Sequence, residues 1–451
     1  MRILHKQISL NNLRIKVRRM LRADNESDEL LSVPDVLPLK QNYNDGLLDD
    51  ILKVRNDITK DFVKELLLNE RQYLADNPDV KNANLCPIHH YYNYGIFEGR
   101  NFSEPNFKSI KKADGLVDGI RVIFFDTIKS NASFLYRGFF QEKKDLTTII
   151  IHKDSTFYDS MLAVFSAREI VFIRPSHASV RTKYFLKLCK VLDIVVTLDF
   201  DDLLLPDYIQ YKGSVRSGVT PYYPMQRHLN KDSALLLAAN RLVCSTQKIA
   251  DVFSGFVEDI SINKNKLPSE YFINKETVKN KVFCANGKVN ILYLSGSRTH
   301  LKDYSLISGV LTKLAQNHAD RFSLNLMGSL TDQTSVFSAL NVQCDYIPYL
   351  DFDEMIKEIG KYDLVLVPLE NTIFNNAKSN IKFIESASQC VPVIASSVDE
   401  YNSSIQHGHN GWLCDNDTEW YSTLEKIILT PHVLKDAGLN AYELALSEYS
   451  V

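Results

Sequence analysis

From about Gly119 onward, short apolar runs of four to six residues alternate with longer segments of helical periodicity. That alternation constrains the fold more than any other feature of the chain. Strands separated by helices cannot pair as hairpins. Each helix carries the chain back, so neighbouring strands run parallel and need cover on both faces. The first series predicts strands at 121–126, 147–152, 169–174, 194–199 and 241–245, with a helix over 180–192. The second predicts strands at 290–295, 322–327, 344–347, 364–368 and 391–395, alternating with helices at 304–317, 352–360, 381–389 and 418–429. Residues 268–288 are polar and broken, as a domain junction is. Two consecutive doubly wound domains imply a deep cleft between them, with ligands at the carboxyl ends of the strands.

Composition excludes several classes. Of the 451 residues, 45% are apolar and 24% charged, the balance of a globular protein with real cores. A net charge of -3 supplies no field for nucleic acid, so no nucleic-acid partner is expected. The seven cysteines are odd in number and show no CxxC pair, which reads as reduced thiols of a cytoplasmic protein. No run of about 18 apolar residues is present to span a membrane.

The N-terminal stretch has its own character. Residues 1–22 hold seven Lys/Arg and no acid, with Leu4, Ile8, Leu13, Val17 and Leu21 at four- to five-residue steps. This is not a secretory signal. It reads as a basic amphipathic helix for an anionic membrane surface, each cation contributing up to about 1 kcal/mol, or as a solvated arm. Residues 23–56 are polar and acidic with Pro34 and Pro38, a linker pattern. Residues 57–110 form a small helical unit, with helical patterns at 61–75 and 87–97. Asn77-Pro78 starts a turn, and Gly95 and Gly99 end helical turns. Tyr91, Tyr94 and Phe97 fall on about one helical face, as core residues do, and His89 and His90 have no further ligands around them.

Two segments carry candidate chemistry. The first, Ile291 to Ser305 (ILYLSGSRTHLKDYS), reads as a strand, a tight turn at Gly296 and Ser297, then a helix. Gly296 lets backbone approach a ligand. Arg298 grips phosphate bidentately and Lys302 adds a point charge, unless both are simply solvated. The second, Leu366 to Ser397, is a strand, a polar loop with Glu370 and Asn375, then a helix starting near Ser379. With Ser379 as N-cap, the amides of Asn380, Ile381 and Lys382 face a phosphate, and Lys378 adds charge. Glu385, farther along the helix, accepts two hydroxyl hydrogen bonds, as a ribose diol requires. Lys382 and Glu385 are also three apart, so an intrahelical ion pair is the plainer reading.

These residues together resemble the group 1 (family 4-like) glycosyltransferases of GT-B fold, whose donor helix carries two acids followed by G-x-P-V-(V/I)-A. Glu385 matches the second acid, which in that family holds the donor ribose, and HGHNGWL (His407 to Leu413) matches its G-x-N-G-x-L turn. SGSRTH with Asp303, and FNNAKS (Phe374 to Ser379), are similar to a subgroup, and Arg298 and Lys302 match the diphosphate-binding cations. The resemblance covers 290–430 well and 119–270 weakly. The first acid falls on Ala377, with Glu370 or Asn375 as substitutes, and Cys390 stands where the family often has Gly. YLADNPDV (Tyr73 to Val80) and HHYYNYGIFEGRNFSEPNF (His89 to Phe107) resemble a repeat found beside surface-polysaccharide glycosyltransferases.

In the first series, TLDFDDLLL ends a strand with Asp199, Asp201 and Asp202. These acids read as an acceptor-side catalytic group, as a D-x-D metal pair, or as helix N-caps. The resemblance favours the acceptor role and implies that no metal or other cofactor is required. Ser245 or Thr246 is expected to cap the next helix and touch the acceptor.

The resemblance therefore implies a GT-B α/β protein: two doubly wound Rossmann-like domains facing a cleft, plus the small helical N-terminal unit. The expected divisions are 1–56, 57–110, an acceptor domain at 119–272 and a donor domain at 288–451. The implied activity is retaining transfer of a sugar from a nucleotide-diphosphate donor to a glycan or lipid-linked acceptor. The implied setting is bacterial capsule or O-antigen-like synthesis, at the inner membrane face. A nucleotide-sugar epimerase on the same fold, a non-catalytic nucleotide- or glycan-binding subunit, and glycan recognition by the repeat unit remain as alternatives.

Overall fold

The computed structural model describes residues 46–451, except 96–97, 109, 129–130, 141–147, 296–300 and 329–333. The basic arm, 1–22, lies outside the described residues. The chain forms two six-stranded parallel sheets with helices on their faces, the α/β GT-B architecture.

The first sheet has β1 (Ile120–Phe125), β2 (Thr148–His152), β3 (Ala167–Ile173), β4 (Val195–Phe200), β5 (Arg241–Cys244) and β6 (Ile260–Ile262), in the order β2-β1-β3-β4-β5-β6. Val122 stands opposite both Ile149 and Ile170, and Val171 opposite Thr197. The last four residues of both β1 and β3 are buried, the continuous apolar run of strands covered on both sides. The covering helices are capped by sequence. Thr156 accepts from Asp159 N at the start of Phe157–Ser166, and Ser179 accepts from Thr182 N at the start of Val180–Leu192. The second of these ends on Asp193, in the left-handed conformation with φ 51°.

The N-terminal module packs onto these helices. The stretch read as linker contains a helix, Gly46–Val54, with Leu47, Leu48 and Ile51 buried and Asp49 exposed. Its polar composition hides a one-sided apolar stripe. It packs against Phe157–Ser166, and Tyr158 bonds Asp50. The expected 61–75 helix is two helices, Lys60–Leu67 and Glu70–Asp76, because Asn69 caps the second. Tyr92 stacks on Phe157 at 3.9 Å between centroids, and the Tyr184 hydroxyl donates to the Leu66 carbonyl at 2.7 Å. Tyr91 is buried as expected, but Tyr94 is 54% exposed. Residues Tyr91–Gly95 form a wider π turn, which rotates Tyr94 off the expected face. Phe97 lies outside the described residues.

The polar signature of the repeat-like segment forms one knot. Arg100 donates to both oxygens of Asp79 (2.9 and 2.6 Å), to Asn77 Oδ1 (2.9 Å) and to Glu98 (2.5 Å). These bonds hold the Asp79 carboxyl down at about 2. The Tyr73 hydroxyl meets His90 Nδ1 at 3.0 Å. These side chains tie the two halves of the motif together across the intervening loop.

The second sheet has β7 (Val289–Ser295), β8 (Phe322–Gly328), β9 (Cys344–Ile347), β10 (Leu364–Val367), β11 (Val393–Ser396) and β12 (Trp412–Cys414), in the order β12-β11-β10-β7-β8-β9. Every neighbouring pair is parallel. The helices Leu301–His318 and Asp417–Leu429 pack on one face through Ile307, Leu311, Leu314 and Leu424, all fully buried. Strands β6 and β12 escape the sequence reading because three residues are too few to show a period.

The described residues divide into two compact units. One holds those up to Phe200, with Asn230–Val243 and Val252–Ser261; the other holds Asp201–Leu229, Cys244–Asp251 and Ile262–Val451. The expected junction, 268–288, thus belongs wholly to the second unit. There the chain's end returns: Leu267 N donates to the Tyr449 carbonyl (2.8 Å), and the Tyr442 hydroxyl to the Ile273 carbonyl (2.7 Å). All seven cysteines are free thiols. Among the described residues, no helix is long and apolar enough to cross a membrane.

Candidate functional site

In the second sheet the strand order reverses between β7 and β10. Connections from β7 run outward to β8 and β9, and those from β10 outward to β11 and β12. The helices that follow β7 and β10 therefore diverge, opening a crevice at the carboxyl ends of these two strands. The candidate residues converge there.

Strand β7 ends at Ser295, and Gly296, Ser297 and Arg298 lie outside the described residues. In the first turn of the next helix, Lys302 is exposed and Asp303 is 6% exposed. Asp303 Oδ1 accepts from Glu370 N at 3.1 Å and from Asn375 Nδ2 at 3.4 Å. The carboxylate thereby ties the helix after β7 to the loop after β10. Asn375 also donates to the Glu370 carbonyl at 2.9 Å, so its amide braces this loop. The Glu370 carboxylate pairs with Arg216, each side chain about one-third exposed (29% and 32%).

The position of the expected first acid carries no polar side chain. Ala377 is 1% exposed, and its carbonyl accepts from Thr246 Oγ1 at 2.9 Å. Thr246 Oγ1 also accepts from Ile249 N at 3.3 Å, capping the helix Gln247–Phe253. The cap is where the sequence places it, and the fully buried hydroxyl is used within the fold. Ser245 Oγ donates to the Asp201 carbonyl at 3.3 Å.

The helix after the loop is Ile381–Ser388, and its N-cap is Asn380, not Ser379. Asn380 Nδ2 donates to Ser404 Oγ at 2.6 Å, and Ser379 Oγ accepts from Asn265 Nδ2 at 2.9 Å. Neither side chain caps the helix, because each is drawn to a neighbouring segment. Among the described residues, no group accepts from the amides of Ser379, Asn380 and Ile381. The Lys382 amide lies beside the Tyr401 phenol. Three consecutive amides are thus presented at the positive end of a helix dipole.

Lys382 does not form the intrahelical ion pair with Glu385. Its ammonium donates to the Leu294 carbonyl at 2.7 Å, near the end of β7, and lies 5.9 Å from the centre of the Tyr293 ring. Burial pushes its pKa down to about 8, partly offset by Asp303 and Glu385 and reinforced by Lys378. Lys378 is half-buried, with its ammonium 5.6 Å from the Phe374 ring centre. Glu385 is 6% exposed and faces the Tyr401 phenol, whose pKa rises through burial and that negative charge.

The downstream turn is explained by its glycines. Asn410 Oδ1 accepts from Gln406 N (2.7 Å), and its Nδ2 donates to the Ser404 carbonyl (2.9 Å). Gly411 has φ 153°, and a Cβ there would stand 2.9 Å from the Val393 carbonyl oxygen. Cys390 adopts φ 55°, the left-handed conformation that explains why the resembling family often has Gly there.

In the first unit, Asp199 is not free for acceptor chemistry. Arg137 Nε and Nη2 donate to its two oxygens, each at 2.7 Å, with side chains 0% and 5% exposed. Asp201 and Asp202 follow β4 as partly buried residues. No α-helix begins at either: the chain bends, then makes a 3-10 turn at Pro206–Tyr211. That removes the N-cap reading.

Sequence reasoning quoted Asp303 without a role and passed over Arg216, Tyr401 and the pair His177–Asp232. His177 Nδ1 and Asp232 Oδ1 are 2.7 Å apart beyond the end of β3. Asp303 was findable, as a lone acid one turn into a helix beside a phosphate-binding pattern. The others depend on segments far apart in sequence.

This is the fold of the GT-B nucleotide-sugar glycosyltransferases, with the candidate crevice at the switch point of the second sheet. No family model matches the sequence, and no curated protein resembles it. Among solved structures, it is similar to HepE of Anabaena, crystallised with UDP and with UDP-glucose. That match has 11% identity and a TM-score of 0.52, covering 73% of this chain and 96% of HepE. Sucrose-phosphate synthase of Thermosynechococcus elongatus matches with 9% identity and a TM-score of 0.52, over 73% and 95% of the two chains. A glycosyltransferase of Rickettsia africae matches with 13% identity and a TM-score of 0.50, over 74% and 95%.

Proposed function

We propose that this chain is a glycosyltransferase that binds a nucleotide-diphosphate sugar in the second unit and transfers the sugar to a glycan or lipid-linked acceptor. The observation that carries the reading is the convergence of Lys378, Lys382, Glu385 and three unaccepted amides on the β7/β10 switch point. A departing nucleoside diphosphate gains negative charge as the glycosidic bond breaks. Fixed cations and helix amides stabilise that charge without reorganising. In this reading Lys302, Lys378, Lys382 and Arg298 hold the diphosphate, and Glu385 holds the ribose. Asp201 and Asp202 serve the acceptor. The exposed part of Glu370, next to Arg216, replaces the missing acid toward the sugar. Retention of configuration, freedom from metal, synthesis of a bacterial surface polysaccharide, and recruitment of the cytoplasmic enzyme to the inner membrane face by residues 1–22 complete the proposal. The buried Ala377 favours a second reading, a subunit that binds nucleotide but does not transfer.

The test is incubation with labelled UDP-, GDP- and ADP-sugars and a mixture of bacterial lipid-linked oligosaccharides. Label joined to acceptor supports transfer, and epimerised nucleotide sugar points to the epimerase. Nucleotide binding without either reaction supports the non-catalytic subunit.

A further inference from the structure

Glu370 is gripped at three points. Its amide donates to Asp303 Oδ1 at 3.1 Å, and its carbonyl accepts from Asn375 Nδ2 at 2.9 Å. Its carboxylate Oε1 accepts from Arg216 Nη2. The other oxygen, Oε2, has no hydrogen-bond partner among the described residues. A carboxylate tethered by its backbone alone would turn about its own side-chain bonds. Here one oxygen is held, so the direction of the second is set with it.

The place of Glu370 suits the sugar end of a nucleotide sugar. It lies in the loop after β10, and its amide is bonded to the residue next to Lys302. The carbonyl of Asn375 accepts from the Lys378 amide at 3.2 Å. Two cations of the diphosphate reading are thus each a step of bonded chain away. Asp303 and Glu385 are each 6% exposed, whereas 29% of the Glu370 side chain is exposed. Arg216 arrives from a separate segment. The 3-10 turn Pro206–Tyr211 packs on the helix Ile373–Asn376, and the short helix Gly213–Arg216 packs on that turn. Ser217 Oγ donates to the Gly213 carbonyl at 2.7 Å and closes this helix.

We propose that Arg216 is a positioning residue for the donor sugar: it holds one oxygen of the Glu370 carboxylate and so aims the other at a sugar hydroxyl. The inference rests on the donor-site reading above and deepens it by naming what orients the acid. An ion pair exposed to this degree adds little to folding stability, so what Arg216 contributes is direction. A hydroxyl donating to Oε2 forms a charge-assisted bond, and an acid already turned toward it loses no freedom when the sugar arrives.

UDP, GDP and ADP, with their hexose and N-acetylhexosamine conjugates, are screened by thermal shift. The conjugate that raises the melting temperature most, and its parent nucleotide, become the probes. Calorimetric titration gives both dissociation constants for the wild type, Arg216→Ala, Glu370→Ala and the double variant. Glu370→Ala should weaken the conjugate about ten- to a hundredfold, the loss of a hydrogen bond to a charged group. Arg216→Ala keeps the acid but lets it turn, and ordering one side chain on binding costs about three- to tenfold. At about 0.15 M salt the loss of an exposed charge is screened, so the parent nucleotide should stay within about twofold throughout. The double variant should bind the conjugate no more weakly than Glu370→Ala, because Arg216 acts through that carboxylate. Arg216→Lys, which can still hold Oε1, should restore part of the affinity. All variants should melt within about 4 °C of wild type.

Three results overturn the inference and leave a nucleotide site standing. Arg216→Ala could weaken nucleotide and conjugate equally, or weaken neither. The two single losses could multiply in the double variant. The wild type could bind nucleotide but none of the conjugates. Failure of every nucleotide and conjugate to bind the wild type overturns the donor-site reading, and this inference with it.

Discussion

Replacing Arg137 with Met is the sharpest test of how the first unit treats its acids. Arg137 and Asp199 make two parallel hydrogen bonds of 2.7 Å, and neither side chain is more than 5% exposed. Truncating the cation leaves a buried carboxylate with two bonds lost. Removing one partner of a buried pair typically costs about 3–5 kcal/mol, most of it the desolvation of the charge left behind. In a unit of roughly 150–250 residues, each kcal/mol moves the melting temperature by about 2–4 °C, so the variant should melt roughly 6–20 °C lower. The double variant Arg137→Met/Asp199→Leu removes both charges and should recover most of that loss, since apolar residues of similar volume often replace such a pair without cost. Circular dichroism followed through thermal unfolding reads both. Tryptophan emission is a useful companion signal, because Trp412 and Trp420 both lie in the second unit. A single variant that loses less than about 1 kcal/mol would mean that water reaches Asp199 and that the carboxylate is available for chemistry. A double variant as unstable as the single one would show that shape, not charge, is what the pair contributes.

Glu385→Ala should weaken binding of the nucleotide by roughly 1.5–3 kcal/mol, the scale of hydrogen bonds to a charged group, with calorimetry as the readout. An unchanged affinity removes Glu385 from the ribose. Gly328→Ala should be among the most damaging single changes in the second unit: at φ 104° an added Cβ would stand 1.5 Å from the Ser295 carbonyl oxygen, at the end of β7. A melting temperature within a degree or two of wild type would refute the close approach of β7 and β8 there. Deleting residues 1–22 should abolish sedimentation with vesicles containing anionic phospholipid while leaving activity on a soluble acceptor. Unchanged sedimentation would sink the membrane role.

How much of this was legible in the sequence depends on the range over which each feature is encoded. Parallel strands advertise themselves within six residues. The helix Val180–Leu192 and the strand Cys344–Ile347 stand where the apolar pattern places them. Caps are less secure. Thr246 caps as expected, because its helix begins at the next residue. Ser379 does not, because Asn265, more than a hundred residues earlier, bonds its hydroxyl. The helix Gly46–Val54 was hidden by average composition, since its three buried apolar residues are spread among polar ones. The site shows the same division. Lys378, Lys382 and Glu385 follow from one continuous segment, whereas Arg216 meets Glu370 only because residues 201–229 pack with the second unit.

The charge balance at the switch point gives the strongest reason to expect an anion there. The chain as a whole carries -3, so overall attraction cannot explain it. Of the acids near the ends of β7 and β10, Asp303 accepts from the Glu370 amide and Asn375, and Glu370 pairs with Arg216. Lys302 and Lys378 have no acidic partner within ion-pair distance among the described residues, and Lys382 has only a carbonyl and a ring. Asp303 and Glu385 offset two of the charges on Lys302, Lys378 and Lys382, and Glu370 offsets Arg216, so positive charge is left over at one end of one sheet, beside the amides of Ser379, Asn380 and Ile381. Exposed charges at such a crevice are screened over about 8–10 Å at ordinary ionic strength, while the part-buried Lys382, bonded to the Leu294 carbonyl, is screened less. Attraction through Lys302 should consequently fade as salt rises, and the contribution of Lys382 should persist. A site built for an uncharged sugar alone would have no use for that arrangement.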